Sequence, residues 1–422
     1  MCDARRAPPW DSLSLDAALT HALCQNPGLR QAMAEVSEQT AGIVLAEIEG
    51  APRISANADY STSRNFNASG NSGRTMGAFI GLSWVLFDFG QGHANLQAAR
   101  HTWTAAMANQ NNSVLTAVNE LVITYGDAVK ASAALAAASE ALNAASQTAA
   151  AAQARYEAKV GNQIEWLQAQ TAQAQARLER ARASGAWASA RTALALGLGA
   201  DPGQPLQLGD WAAWSQPPTP SVSANELALL DQETMQNHPR LRTIRAQIDA
   251  LHARLQAVDA ASRGSISVSA GAGSSQNWGA AGDGVLPTTQ AAIVASFPLF
   301  NGRETQAAKA QVQARIAARQ AEMDALAREV RNQLWQAHQA VRVSEESLLA
   351  SASLLTSAER TFHVAQGRYK AGVGSVGEVL DAQSALAEAR RQKVAAQVER
   401  LTSLTQLSVA TGRLTPPPAA AR

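Results

Sequence analysis

Cysteine and aromatic residues are scarce in this chain. Its 422 residues include two cysteines, Cys2 and Cys24, and only 5% of positions carry a ring. Two cysteines are too few for a disulfide scaffold, and their spacing is not that of a metal site. So few rings cannot fill a wide core, although 46% of the residues are apolar, much of that fraction being alanine. Such a composition suits helices that approach each other closely through small residues. An excess of charge is missing as well: 35 basic side chains face 34 acidic ones. A nucleic-acid partner, which requires a basic surface, is therefore not expected. No run of eighteen apolar residues exists to make a transmembrane helix, and Met1–Pro9 holds no apolar signal core.

Catalytic constellations are absent too. Asp88-Phe89-Gly90 spells a kinase triplet, but no glycine-rich loop, lysine strand or catalytic loop accompanies it. Gly197-x-Gly199 and Gly271-x-Gly273 lack the strand-to-helix context of a phosphate loop. The seven histidines are scattered; His93 and His101 share only a helix face. The expectation is a protein that is no enzyme, with no cofactor and no metal.

What the chain does have is a duplication. Arg155-Tyr156-Glu157-Ala158-Lys159-Val160-Gly161 returns half a chain later as Arg368-Tyr369-Lys370-Ala371-Gly372-Val373-Gly374. The first copy is followed by Glu165-x-Leu167-x-Ala169-Gln170, the second by Glu378-x-Leu380-x-Ala382-Gln383. Flanking residues repeat in step: Gln25-Asn26-Pro27 with Gln236-Asn237-His238-Pro239, and Leu86-Phe87-Asp88-Phe89-Gly90 with Leu299-Phe300-Asn301-Gly302. Any reading of the chain must explain one half twice.

Period separates the elements. Leu15, Leu19 and Leu23 mark a helix face, and Asn26-Pro27 divides it from a second helix. Ile54, Ala56, Ala58 and Tyr60 then alternate with Ser55, Asn57, Asp59 and Ser61, the pattern of a two-faced strand. A second alternating run puts Met76, Ala78, Ile80, Leu82, Trp84 and Leu86 on one side. Leu115, Val118, Val122, Tyr125 and Val129 keep the 3-4 spacing of a coiled-coil seam. The resulting division is an N-terminal segment 1–10, a first repeat 11–212, a proline-rich connector 213–224, a second repeat 225–414 and a disordered tail 415–422. In the first repeat the strands fall near 53–64 and 75–88, with a long helix near 91–156 and a return helix near 163–198. In the second they fall near 264–275 and 288–300, with helices near 302–370 and 376–412.

The alternating strands have the length and faces of outer-membrane barrel staves. Four strands cannot close a barrel, and open edges cannot face lipid, so sister chains must complete it. Trp84, Phe87, Phe89, Phe297 and Phe300 gather at the strand ends next to the long helices, as a membrane-interface girdle would. The competing reading is a soluble coiled-coil scaffold or tether in which the strands form a small sandwich.

The duplicated Arg-Tyr turn, the Leu-x-Ala-Gln after it and the Phe-x-Gly junction resemble the outer membrane factors typified by TolC, over about residues 11–414. The resemblance implies a mainly α fold with a small β part. It implies a homotrimer whose twelve strands form one barrel in outer-membrane lipid, continued by an α-helical tunnel of very long helices through the periplasm. The implied function is a passive exit duct for efflux or type I secretion. Its partners would be a periplasmic adaptor and an inner-membrane pump of the ABC or proton-driven class. The turns would lie at a closed periplasmic entrance, with Glu165, Glu378 and Asp381 as entrance carboxylates. Arg155, Tyr156, Gly161, Arg368, Tyr369, Gly372 and Gly374 would form the tip, the arginines and tyrosines holding neighbouring helices together through charge-assisted hydrogen bonds. One departure is Gly374, where the best-studied member has an arginine. Another is the N-terminus: export is implied, so Met1 reads as an added or mis-assigned start. Some relatives carry a lipid on an N-terminal cysteine, which makes Cys2 a candidate although no lipobox precedes it; Cys24 is expected as a small buried residue.

Overall fold

The computed structural model describes residues 10–64, 72–203, 205–209, 224–279 and 284–413. After a single helical turn at Trp10–Ser12, the first half runs α1 (Leu15–Gln25), α2 (Pro27–Ile48), β1 (Arg53–Arg64), β2 (Ser72–Phe87), α3 (Gln91–Glu157) and α4 (Gln163–Gly197). The second half repeats it: α5 (Ala224–Asn237), α6 (Pro239–Ala261), β3 (Ser265–Gly279), β4 (Gly284–Ser296), α7 (Glu304–Lys370) and α8 (Val376–Thr411). Local chemistry fixes the joints. Asn26 accepts from Leu29 N at 3.2 Å, and Pro27 opens α2 without needing a donor. The Asp88 carboxylate accepts from Gly90 N and Gly92 N at 3.0 and 2.5 Å, so the kinase-like triplet is the cap of α3.

The chain divides into two compact units. One comprises the described parts of Met1–Met33, Gln110–Pro239 and Ala327–Arg422. Its core takes Leu13, Leu15, Ala18 and Ala22 from the N-terminal elements, the α3 seam of Leu121, Val122, Tyr125 and Val129, and Leu194, Leu198 and Leu206. Tyr125 donates to Leu13 O at 3.0 Å, and burial pushes its phenol up to about 12. Leu13 N bonds Gln207 O at 2.9 Å and Gly209 N returns to Leu13 O at 2.8 Å, a short parallel bridge between the start of the chain and the segment after α4. Small residues permit the close helix approach that the alanine content anticipates. A Cβ on Gly126 would sit 2.6 Å from Val398 Cγ1, so α8 packs directly on the α3 backbone. In α7 the equivalent seam residues Val330 and Leu334 are fully buried. Cys24 departs from its expected role: it lies off the buried Leu15–Ala18–Ala22 face, is half-buried and is not a free thiol. Cys2, the 213–224 connector apart from Ala224, and the 415–422 tail lie outside the described residues.

The other unit, Ala34–Asn109 with Arg240–Leu326, carries the sheet. Its order is β1-β2-β3-β4, antiparallel throughout, so the central β2–β3 pairing joins the two repeats. Register puts Ile54, Leu82, Ala270 and Ala291 in one row and Ala56, Ile80, Ala272 and Thr289 in the next. The face carrying these rows is exposed: Ile54 is 76% and Ile293 74% accessible, which an apolar sheet face is not in a lone soluble domain. β2 and β3 run nearer their hairpin turns than alternation indicates, with Ser72–Arg74 and Gln276–Gly279 still paired in the ladder. β4 stops at Ser296, so Leu299 and Phe300, 97% and 90% exposed, lie beyond the strand. At this end the rings of Phe87 and Phe89 meet edge-on at 4.8 Å and those of Phe89 and Phe297 at 6.2 Å, while Trp84 Nε1 donates to Gly50 O at 3.0 Å. Gly264, at φ 101°, is required there: a Cβ would lie 2.2 Å from Ser296 O. Within α3, one stretch is long and apolar enough by composition alone to pass for a membrane span.

Candidate functional site

The Arg-Tyr segments close the α3–α4 and α7–α8 hairpins, and their backbones match bond for bond. Arg155 O accepts from Val160 N and Gly161 N, both at 3.0 Å; Arg368 O accepts from Val373 N and Gly374 N at 3.0 and 3.1 Å. The residue in the left-handed conformation is Lys159 in one turn (φ 56°) and Gly372 in the other (φ 78°). Gly161 and Gly374 serve close approach instead: a Cβ would sit 2.9 Å from Arg155 Cβ in the first turn and 3.0 Å from Arg368 Cβ in the second. Gly374 therefore has a local reason in its own turn. Asn162 and Ser375 cap the return helices, accepting from Ile164 N at 3.0 Å and Glu378 N at 3.2 Å.

Side chains diverge where backbones agree. Arg155 crosses to the other repeat, its guanidinium 5.2 Å from the centre of the Tyr369 ring and Nη1 3.4 Å from Tyr369 O. Tyr369 is buried with Ala149, Ala152, Ala169, Ala365, Val376 and Val379. Its hydroxyl and Arg155 Nε are buried without a hydrogen-bond partner. Burial raises the Tyr369 phenol; Arg155 opposes the shift and Glu165 adds to it. Tyr156 stays in its own hairpin, stacked on Trp166 at 5.3 Å and 12°. Arg368 also turns back on its own hairpin, 3.7 Å from the Glu378 carboxylate and 3.5 Å from Val373 O. One arginine of the pair thus bridges the repeats, and the other does not.

Glu165 and Glu378 sit in the first turns of the return helices, and Asp381 follows in the second turn of α8. Glu165 is half-buried at the start of α4; Glu378 and Asp381 are exposed, one turn apart at the start of α8. Negative charge there also complements the positive helix end. Gln383, two residues beyond Asp381, donates to Ala141 O at 2.5 Å and ties α8 to α3. Ala382 and Ala169 are buried, whereas Gln170 is exposed. Trp166 and Phe362 complete the cluster and were not anticipated. The signal for Trp166 was an indole in the first turn of a helix rich in alanine and glutamine. No group of three or more His, Cys, Asp or Glu capable of holding a metal occurs among the described residues.

Two antiparallel helical hairpins of tunnel length, each carrying a β-hairpin with one exposed apolar face, are the repeating unit of an outer-membrane channel. The chain belongs to the outer membrane efflux protein family, whose model matches residues 18–200 and 230–413. Protein CyaE of Bordetella pertussis is 31% identical over 415 residues, covering 96% of this chain and 85% of that one. In fold the chain is similar to CusC (TM-score 0.79, 22% identity, 94% of this chain and 92% of that). It is likewise similar to the CmeC outer membrane channel of Campylobacter jejuni (0.79, 16%, 94% and 85%). The open-state MtrE outer membrane channel of Neisseria gonorrhoeae matches at 0.75 with 20% identity, covering 94% of this chain and 89% of that one. The protein belongs in the bacterial outer membrane and extends into the periplasm.

Proposed function

We propose that three copies of this chain form one channel-tunnel, the passive exit duct of a tripartite efflux or type I secretion system. The observation that carries this reading is the sheet. β1 and β4 are its edges, and its apolar face is exposed along its length. Hydrocarbon satisfies that face, but hydrocarbon cannot satisfy open strand edges. Pairing β1 of one copy with β4 of the next removes every edge and closes twelve strands. The helices then continue the wall into the periplasm, where an adaptor joins them to an inner-membrane ABC or proton-driven pump. The pump supplies the energy; the duct performs no chemistry.

At the entrance, threefold symmetry gathers Glu165, Glu378 and Asp381 into acidic rings that attract cations and disfavour anions. Arg155, Tyr156, Arg368, Tyr369 and the glycines Gly161, Gly372 and Gly374 form the tip that surrounds them. The test is planar-bilayer conductance of detergent-purified protein, after heat-modifiable trimers are verified on a gel. A monodisperse monomer without conductance would overturn the duct. Glu378→Gln with Asp381→Asn is expected to relieve block by hexaamminecobalt(III); unchanged block would remove these carboxylates from the entrance.

A further inference from the structure

One ring interrupts the sheet's polar face. Alternation places Thr75, Gly77, Phe79, Gly81 and Ser83 of β2 on the face that also carries Asn57 and Asp59 of β1 and Gly271 and Gly273 of β3. Among the described residues, Phe79 is the one ring on that face. It does not stand away from the wall. A Cβ at Gly271 would lie 2.3 Å from Phe79 Cζ, one at Gly273 2.7 Å from Cδ2, and one at Gly81 3.2 Å from Cε1. Those distances are shorter than van der Waals contact, so the ring occupies the space that three side chains would otherwise fill. It lies on a bed of glycine with its far side uncovered, and Phe79 is accordingly half-buried.

An acid lies further along the same face. Asp59 pairs across the strands with Gly77, and its Oδ1 would be 2.7 Å from a Cβ placed there. The exposed carboxylate therefore leans over β2 in the space left by Gly77. The carboxylate lies over Gly77 while the ring runs from Phe79 towards Gly81, two to four residues further along the same strand face, about 7–14 Å. A carboxylate and an open aromatic face at this separation can hold a bulky organic cation between them, one by charge and the other by its quadrupole.

We infer that Phe79 and Asp59 form a binding site for organic cations on the barrel's inner wall, one per subunit, where such groups on a passing cargo pause. The inference rests on the channel reading, which makes this face the lumenal one. Bare glycine is what the site requires: side chains at 77, 81, 271 and 273 would cover the ring or displace the carboxylate. An aromatic laid over glycine also shields the strand backbone, and that role alone would need no neighbouring acid.

The test uses the purified trimer in planar bilayers with tetraphenylphosphonium as the probe. Phe79→Ser and Asp59→Asn are each expected to shorten the blocked dwell time about three-fold. The double variant should lose less than the product of the two, because one cation touches both groups. Block by hexaamminecobalt(III), which has no apolar face, should not respond to Phe79→Ser. If that variant fails to form trimers, Phe79→Leu retains bulk without the ring and should shorten the dwell about two-fold. Conducting channels whose tetraphenylphosphonium block is unchanged in both single variants would overturn the site alone. Protein that forms no conducting channel would overturn the site and the channel reading together.

Discussion

The two hairpin turns are the same piece of backbone put to two uses. Each closes on an arginine carbonyl, each places one residue in the left-handed region, and each hands over to a capped return helix. Their tyrosines nevertheless differ. Tyr369 is 7% exposed and central to a cluster drawn from both repeats, whereas Tyr156 is 37% exposed and stacks within its own hairpin. The arginines differ in the same direction, Arg155 reaching across and Arg368 folding back. Duplication therefore supplied the turn, and divergence supplied the contact between turns. The second-repeat tyrosine with the first-repeat arginine is the pair that joins them.

The strongest way to break this comparison is to truncate each tyrosine. Tyr369→Ala removes a buried ring and should destabilise the tip by about 3 kcal/mol. Tyr156→Ala loses one half-exposed stack, about 1 kcal/mol. Hydrogen exchange of amides in 150–170 and 362–383 reads both effects as local opening. Tyr369→Phe sharpens the point. The hydroxyl it removes is buried and unpartnered, so this variant should match or exceed the parent in protection. Equal losses for the two alanine variants would show that the turns are equivalent after all.

The arginines come next. Arg155→Ala gives up a cation–π contact and a partly buried stem, together about 1–2 kcal/mol. Arg368→Ala breaks an ion pair whose members are 55% and 49% exposed, a change within about 0.5 kcal/mol. If the tip is the closed entrance, Arg155→Ala should raise single-channel conductance and Arg368→Ala should leave it nearly unchanged. The reverse order would place the cross-link on the wrong arginine.

What the sequence made legible follows from which interactions are local. Periods of two and of about 3.6 show in single segments, so Ile54–Tyr60 and the Leu115–Val129 seam could be read directly. The Arg-Tyr turns could be read because they occur twice. The division of labour between the turns could not, since Arg155 and Tyr369 are far apart in the chain and both turns spell the same dipeptide. Phe79 was hidden for the opposite reason. Its neighbours Gly77 and Gly81 fit the polar face, and only the β2–β3 register brings Gly271 and Gly273 beneath the ring. The end of β4 at Ser296 likewise required the ladder, because Phe297 and Leu299 continue the alternation past its last pair.

A smaller asymmetry lies in the turns themselves. Lys159 holds a φ of 56° that its counterpart leaves to Gly372 at 78°. For a residue with a Cβ the left-handed region is disfavoured by about 1 kcal/mol. Lys159→Gly should recover part of that strain, offset by the greater freedom of glycine in the unfolded turn, for a net gain of about 0.5 kcal/mol. Gly372→Ala should lose about 1 kcal/mol. Tryptic cleavage after Arg155 and Arg368 compares the two turns in one digest. Glycine at 159 should slow the first cut, and alanine at 372 should speed the second.

The least of the expected effects depends on pH and again separates the two tyrosines. Burial raises the Tyr369 phenol above its ordinary value of 10.0, with Glu165 adding to the shift and Arg155 opposing it. The opened tip therefore loses this proton at a lower pH than the closed one. The linked stability is fully present below pH 10 and drains away as pH rises past that value. Tip protection followed from pH 8 to 11 should fall above 10 in the parent, and this fall should be absent in Tyr369→Phe. Glu165→Gln removes the negative charge that resists ionisation, so its decline should be shallower. Arg155→Ala removes the opposing cation, so its decline should be steeper. A fall that survives in Tyr369→Phe would mean that another group governs the alkaline opening, and that burial of this phenol is not what distinguishes the second turn from the first.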